Sequence, residues 1–522
     1  MYCLRRRSLF VMLIAATAVP PVSAQPFVEW ERTWGGTETE SFSTVDTTRD
    51  GALVAAGATT SYGRGFYDAV VARFTANGRF DPAWPENPRI VGSEESETFV
   101  AVSATRDGGV VAVGASSLIG SFNSFYVGRF DSSGRLSSEW VQNPRVIVLA
   151  GWAVATAVTE TDDGGCLIVG WNSPPGVATV ETYLVKLTSA GRLDPSWPVN
   201  PRVYGGVELR LRAYALCGTS DGGYVITGST GAPSRMFFLR VDGLGELDPS
   251  WPRNPAIVSA GDFNVSYAIV GTSDGGFVAT GNTSAREGTR FGDVLVVKLN
   301  AEGEPDPGWQ VNPRTFGGTL SDIGLAVAES PDGSLLVAGT AQNDRTAWLD
   351  WFIAKLDPDG NFASTWPENP VVYGAAGDLS LTGLALLPDG RFVVAGAARA
   401  FGAGRTDAYI VAFSQTARRF VRGDSNADGV VNLADAIVTL GWMFEGGSRP
   451  ACVDAADADA VNGVDVSDVV GVLLWLFGGR AFTFADPAPN APAYIGEDCD
   501  TDETLRGYRL GCESPSPVCS GV

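Results

Sequence analysis

The sequence predicts an all-β fold, a seven-bladed β-propeller with four antiparallel strands per blade, followed by a small α-helical domain. Three observations predict it. Asp-Gly pairs begin at Asp50, Asp107, Asp163, Asp221, Asp274, Asp332 and Asp389, spaced 53 to 58 residues apart. A Trp-x-x-Asn-Pro signature recurs at Trp84, Trp140, Trp197, Trp251, Trp309 and Trp366. Between these landmarks run short β-forming segments with no helical period. Units that bury little alone must stack, and four short strands per unit is the pattern of a propeller blade. A parallel β-helix is the alternative, but its coils are shorter and need no tight antiparallel hairpin.

Taken in order, residues 1–24 read as a signal peptide. Arg5, Arg6 and Arg7 precede an apolar run from Leu9 to Val19, and Val22-Ser23-Ala24 is a small-residue cleavage site. The mature chain is expected to begin near Gln25, secreted and extracellular, with a retained N-terminal anchor as the alternative. No later segment approaches the ~20 apolar residues of a spanning helix. The propeller is expected over 25–418. The unit from 201 shows its grammar: "PRVYGG", "RAYALCGTS", "DGGYVITGS" and "RMFFLRVD" read as four strands. The Thr/Ser-x-Asp-Gly between the second and third supplies the positive-φ residue of a tight hairpin. The fourth leads into a proline-rich crossing unsuited to a strand ladder. At the chain start, "ERTWGG" (31–36) aligns with "PRTFGG" (313–318) and supplies the seventh copy of that segment.

The T-x-D-G-G hairpin and strand pattern over about 27–414 resemble the delta-sixty propeller repeats of secreted bacterial proteins, a resemblance that implies fold and not activity. The repeated tryptophans read as inter-blade packing rather than a sugar-stacking array, because every copy carries one. Asp68, Asp293, Asp350 and Asp407, before the last strand of four units, read as turn caps. Strand alternation places the hairpins and Trp crossings on one face and the remaining connections on the other. The second set varies, as in "SYGRGFYD" (61–68), "NSPPGVATVE" (172–181), "NTSAREGTRFGD" (282–293) and "AQNDRTAWLD" (341–350). Variable loops on a fixed scaffold are where recognition belongs.

Composition removes several classes of function. The chain has no histidine, which excludes Ser-His-Asp and Cys-His catalysis and imidazole-bound zinc or copper. Its three lysines are Lys186, Lys298 and Lys355. A net charge of −22 argues against nucleic acid. Cys166 and Cys217 occupy places that other units fill with Val, Phe or Tyr, and read as buried hydrophobes. Residues 421–522 hold 16 acids and 5 arginines, a concentration suited to a hard cation.

After Arg422 the pattern changes to a domain expected over 419–482. Asp424, Asn426, Asp428, Gly429, Asn432 and Asp435 stand at places 1, 3, 5, 6, 9 and 12 of a calcium loop, with the Val430 carbonyl at place 7. Alternate side chains present oxygens to one cation, glycine takes the sharp turn, and the last carboxylate closes the shell from a helix. A degenerate second loop begins at Asp457, with Asp459, Asp465 and Asp468 at places 3, 9 and 12. Its place 5 is Val461, and Asn462-Gly463 comes one position late. Two such loops, each followed by a helix, resemble a type I dockerin domain. The resemblance implies two Ca²⁺ sites and docking on a cohesin-like protein. Places 10 and 11, the docking pair in that family, are Leu433-Ala434 and Val466-Ser467, less polar than the family's Ser/Thr pairs. The tail, 483–522, contains Cys499 and Cys512, expected to close a small loop.

The function expected is an extracellular binding or surface protein. Its propeller would present variable loops to a polysaccharide or surface ligand, and its terminal module would dock to a partner. The alternative is a carbohydrate-active hydrolase or lyase with a carboxylate acid and base. No catalytic residue is assigned, because no carboxylate pair stands out from the repeat.

Overall fold

The computed structural model describes residues 26–117, 124–149, 151–176, 179–284, 292–342, 349–366, 368–373, 379–399, 405–415, 419–426, 428, 430–448, 450, 453–458, 464–478, 483–484, 493–494 and 499–501. The segment read as a signal peptide lies outside these, as do Gly429, Cys452, Asp459, Val461, Asn462, Gly463, Cys512 and Cys519.

Seven four-stranded antiparallel sheets are arranged as the blades of a propeller. Blade 1 comprises Glu40–Thr47, Leu53–Thr59, Asp68–Phe74 and Arg89–Val91. Blade 5 comprises Asn264–Gly271, Phe277–Thr283, Asp293–Leu299 and Arg314–Phe316. Blade 6 comprises Asp322–Glu329, Leu335–Gln342, Leu349–Leu356 and Val371–Tyr373. The innermost strands contact one another around the full circle, the seventh returning to the first. Blade 7 takes Leu379–Leu386, Phe392–Ala398 and Asp407–Ser414 from the end of the repeat, and its outer strand, Phe27–Trp34, from the chain start. Sharing one sheet between both ends leaves no open blade.

One expectation is corrected. The unit read from the sequence starts a strand early: "PRVY" pairs with Thr182–Leu184 of blade 3 and does not open blade 4. The proline-rich crossing is therefore a within-blade connection. In blade 1, Asn87 completes it by acting as a strand residue: its side-chain oxygen accepts from Arg73 N at 3.1 Å, and its amide donates to Arg73 O at 2.6 Å.

Burial follows from blade stacking. Middle strands such as Leu53–Thr59 and Asp68–Phe74 are buried at every position, because both sheet faces meet a neighbour, and so they read as continuous apolar runs. Each innermost strand carries one bulge, as between Phe42 and Thr44. The residue facing that bulge is a glycine in every blade. A Cβ on Gly281 would lie 1.8 Å from Val265 O and one on Gly339 1.9 Å from Ile323 O, so any side chain forces the two strands apart.

The seven hairpins share one geometry. Gly51 N donates to Thr48 O at 2.9 Å and Thr48 N to Ala52 O at 2.8 Å, with Gly51 at φ 78°. This is a type I turn closed by a left-handed glycine, as the Asp-Gly pairs require.

Among its described residues the terminal module holds three helices, α1 (Leu433–Glu445), α2 (Val453–Ala456) and α3 (Val466–Gly478). Val421, Val431, Ala436, Ala458, Val469 and Val472 form its core. From the tail, Cys499–Thr501 pairs with Arg419–Val421 at the module's entry.

Candidate functional site

In the first C-terminal loop, Asp424 and Asp435 are each 1% exposed, whereas Asp428 and Val430 are exposed. The loop is wound by its own acceptors. Asp424 Oδ1 and Asn426 Oδ1 accept from Asp428 N at 3.1 and 2.8 Å, and Asp428 Oδ1 accepts from Val430 N at 2.9 Å. Asp435 reaches back from α1, its two oxygens accepting from Asn426 N at 3.1 Å and Asn432 N at 2.9 Å. Asn432 caps α1 and accepts from Ala434 N at 2.8 Å, completing a reciprocal capping box. The Val430 carbonyl accepts from Asn432 Nδ2 at 3.0 Å.

Burial pushes the Asp435 carboxyl above its ordinary range, and the Asp424 and Asp428 charges push it further, against two backbone hydrogen bonds. Three acids are thus drawn to one place at an electrostatic cost that a cation would offset. Among the described residues, no three Asp, Glu or Cys side chains form a ready metal cage; the loop oxygens are engaged with backbone N–H groups.

The second loop repeats the helix-capping half of this geometry. Asp468 Oδ2 accepts from Asp465 N at 2.6 Å, and Asp465 Oδ1 from Ser467 N at 2.6 Å. Asp457 is buried, and its carbonyl accepts from Arg422 Nη1 at 2.6 Å. Asp459 lies outside the described residues.

The residues at places 10 and 11 of both loops, Leu433, Ala434, Val466 and Ser467, are exposed at the starts of α1 and α3. They head two longer apolar stripes. Leu433, Ile437 and Phe444 are exposed along α1, and Val466, Val470, Leu474 and Phe477 along α3. Phe444 and Phe477 are 65% and 73% exposed. The spacing is helical, so each stripe lies on one helix face. Only the place-10 and place-11 residues were legible as docking candidates; the later members look like core positions until the helices are placed.

On the propeller, the hairpin face is structural. Each Asp-Gly aspartate in blades 1 to 6 meets a cation from the third strand, including all three lysines: Lys186, Lys298 and Lys355 pair with Asp163, Asp274 and Asp332. In blade 7 that place is Ala412, and Asp389 is held by Arg391. Burial alone would raise the carboxyls of Asp107, Asp163 and Asp274, but hydrogen bonds from Arg129, Lys186 and Lys298, with threonine and backbone donors, hold them down at about 2. Burial pushes the Cys166 and Cys217 thiols up to about 12, so neither is poised as a nucleophile.

The tryptophans join blades, as expected. Trp84 is 2% exposed, and its Nε1 donates to Ser132 O of blade 2 at 3.1 Å. Trp140, Trp197, Trp251 and Trp309 bond the next blade in the same way. Trp30, on the strand from the chain start, does so for blade 7, through Ala76 O at 3.1 Å.

The loop face carries a feature the sequence reading missed. Asp68 caps its own loop, accepting from Arg64 N and Gly65 N at 3.0 and 2.9 Å, but it also approaches Glu97 of the next blade. Burial first and Glu97 second raise its carboxyl. Asp293 and Asp322 flank Gly317, their oxygens 2.8 and 2.6 Å from where its Cβ would sit. Asp407 and Glu40 flank Gly35 likewise, at 1.9 and 2.7 Å. The signal was present, an acid soon after each of these blade-to-blade glycines, but pairing Asp322 with Asp293 of the preceding blade, or Glu40 with Asp407 from the far end of the repeat, needed the blade geometry.

A family profile described as "Domain of unknown function (DUF5122) beta-propeller" matches residues 48–83. No curated protein matches the chain. Solved structures similar to it include a protein of unknown function from Dyadobacter fermentans, at 14% identity over 76% of this chain and 99% of that one, TM-score 0.43. Another, from Bacteroides caccae, shares 12% identity over 61% of this chain and 93% of that one, TM-score 0.36. A glucose dehydrogenase shares 12% identity over 60% and 95%, TM-score 0.37. At these values none bears on activity.

Proposed function

We propose that this chain is an exported bacterial binding protein. Its propeller presents recognition loops to a polysaccharide or surface ligand, and its terminal module, a dockerin-like unit stabilised by two Ca²⁺ ions, docks on a cohesin-like protein. The observation that carries the docking half is the pair of exposed stripes. Leu433, Ile437 and Phe444 have counterparts 33 residues on at Val466, Val470 and Phe477. Exposed phenylalanines on both repeats are costly to a protein with no partner and useful to one that has one. The calcium half is supported by the buried acids of the first loop. The resident ion would be held by Asp424, Asn426, Asp428, Asn432, Asp435 and the Val430 carbonyl, and the weaker second by Asp457, Asp459, Asp465 and Asp468. It supplies charge neutralisation and fixes the loop; the protein's own groups orient the helices.

Calorimetric titration of the full chain with Ca²⁺ should show one strong site, abolished in Asp424→Ala with Asp435→Ala. Binding to a panel of cohesin domains should require calcium and fall on Phe444→Asp or Phe477→Asp. A chain that binds no calcium, or whose partner binding ignores both phenylalanines, refutes the assignment. Incubation with a polysaccharide panel separates the readings for the propeller, since new chain ends would favour the hydrolase or lyase over the binding protein.

A further inference from the structure

Departures from the repeat gather on the loop side of blades 3 to 5. At the loop end of the third strand, blades 1, 3, 5, 6 and 7 carry Asp68, Glu181, Asp293, Asp350 and Asp407. In blade 4, whose inner strands are Arg212–Gly218, Tyr224–Ser229 and Met236–Val241, that place is Arg235, its carbonyl accepting from Thr230 N at 2.9 Å. The first-strand acids Glu40, Glu97 and Asp322 likewise give way to Leu211. Just before it, Arg210 is the one non-glycine at positive φ among the described residues, at 49°. That backbone state is costly for a residue with a Cβ, and it concentrates at functional positions. Its stem lies against Gly231, where a Cβ would come 2.7 Å from Arg210 Cδ. Blades 1, 2 and 5 have Thr60, Ser117 and Ser284 at that place.

Arg212 adds a guanidinium, stacked 4.4 Å over the ring of Trp171 on the second strand of blade 3, Cys166–Ser173. Blades 1 and 6 put Ser41 and Ile323 at the place of Arg212, and Ala58 and Thr340 at that of Trp171. Stacking uses the face of the guanidinium, while its N–H donors point outward in the plane. Among the described residues, the side chains of Arg210, Arg212 and Arg235 donate no hydrogen bond and make no ion pair, with Glu181 and Glu208 included. Arg73, Arg129 and Arg240, by contrast, are each tied to a hairpin aspartate.

Beside Arg212 stand two tyrosines. Tyr214 and Tyr267 occupy the innermost-strand bulges of blades 4 and 5. Blades 3 and 7 have Thr156 and Thr382 there, whose hydroxyls donate to carbonyls of the next blade at 3.1 and 2.8 Å. The tyrosine rings instead meet each other, centroids 5.2 Å apart, half-buried, with neither hydroxyl bonded to a described residue. Burial raises the Tyr267 phenol, Tyr214 raises it further, and the Arg212 charge opposes both, which sets that charge beside the pair.

We propose that this cluster binds a uronate, the carboxylate-bearing sugar unit of an acidic polysaccharide. Its carboxylate lies on the outward edge of Arg212, its ring hydroxyls meet Tyr214 and Tyr267, and neighbouring carboxylates of the chain meet Arg210 and Arg235. The planar fork of a guanidinium matches a planar carboxylate with two parallel bonds, and the indole behind it holds that plane in place. Acids at the same places in the other blades repel an anionic chain, which confines it to blade 4. The inference rests on the reading that the loop face binds a polysaccharide, and names its class.

Calorimetry on the full chain with tetramers of galacturonate, glucuronate and mannuronate, their methyl esters, and dextran sulfate tests it. At least one uronate should bind, about ten-fold or more tighter than its ester, the worth of one charged hydrogen bond. Arg212→Gln should weaken it by a similar factor. Arg235→Asp, which restores the acid of the sister blades at an exposed place, should weaken it with an unchanged melting curve, and serves if the Arg212 variant does not fold. No binding by any uronate, an ester that binds as well as its acid, dextran sulfate that binds more tightly than every uronate, or binding undiminished in Arg235→Asp would each overturn the proposal. Binding of neutral glycans alone would overturn it while leaving the loop-face reading intact; a chain that binds no glycan of any charge would overturn both.

Discussion

Replacing Trp84 by alanine tests the claim that the repeated tryptophans hold neighbouring blades together. Trp84 is 2% exposed and sits in a cluster with Phe99, Val102 and Phe130. A buried tryptophan removes roughly 150–250 Å² from water, which at about 25 cal/mol per Å² is an upper bound of ~4–6 kcal/mol. Truncations of this kind cost about 3–5 kcal/mol. The lost Nε1 bond to Ser132 O, 3.1 Å long, adds about 1 kcal/mol. Urea unfolding followed by circular dichroism should therefore show a loss of about 4 kcal/mol or more. Gly134→Ala attacks the same contact from blade 2. Gly134 is at φ 77°, and a Cβ there would lie 2.4 Å from the Trp84 ring; it should destabilise as well. A loss below about 1 kcal/mol for Trp84→Ala, with glycan binding abolished instead, would refute the packing role and restore the stacking platform.

Other outcomes follow from the same contacts. The carboxyls of Asp107, Asp163 and Asp274 lie at about 2, below the ordinary 3.8. Folded values below unfolded ones mean their stabilisation is present above about pH 4 and is lost as pH falls toward about 2; melting curves over that range should show it. These aspartates are 55–60% exposed on their side chains, so the loss should be modest. Gly281→Ala places a methyl group 1.8 Å from a strand carbonyl, and should cost about 2 kcal/mol or more in the same urea assay. Deleting residues 26–34 should expose Asp407–Ser414 as an unpaired edge and make the chain aggregate, with a synthetic 26–36 peptide restoring solubility when added in excess.

Much of this fold was legible because its determinants are local. The tight turn of a hairpin is settled by the few residues that make it, and the seven Asp-Gly hairpins at near-constant spacing count the blades. The acid-rich loop over 424–435 is equally local, its residue types and spacing belonging to one twelve-residue segment. The misplaced blade boundary shows the limit: the strand of "PRVY" looks the same whether it opens one blade or closes another. Only its pairing with Thr182–Leu184 decides.

The sequence by itself determined the number of blades, the turn chemistry, the acid-rich loops and the absence of imidazole. Tertiary structure decided what meets across distance. It brought Phe27–Trp34 against Asp407–Ser414 to close the ring and buried every lysine beside a hairpin aspartate. It also left Phe444 and Phe477 in water and set Asp322 and Asp350 on either side of one alanine. The physical reason is range. Turn and loop geometry are settled by neighbours along the chain, while burial and charge are settled by which strands and blades come to lie side by side.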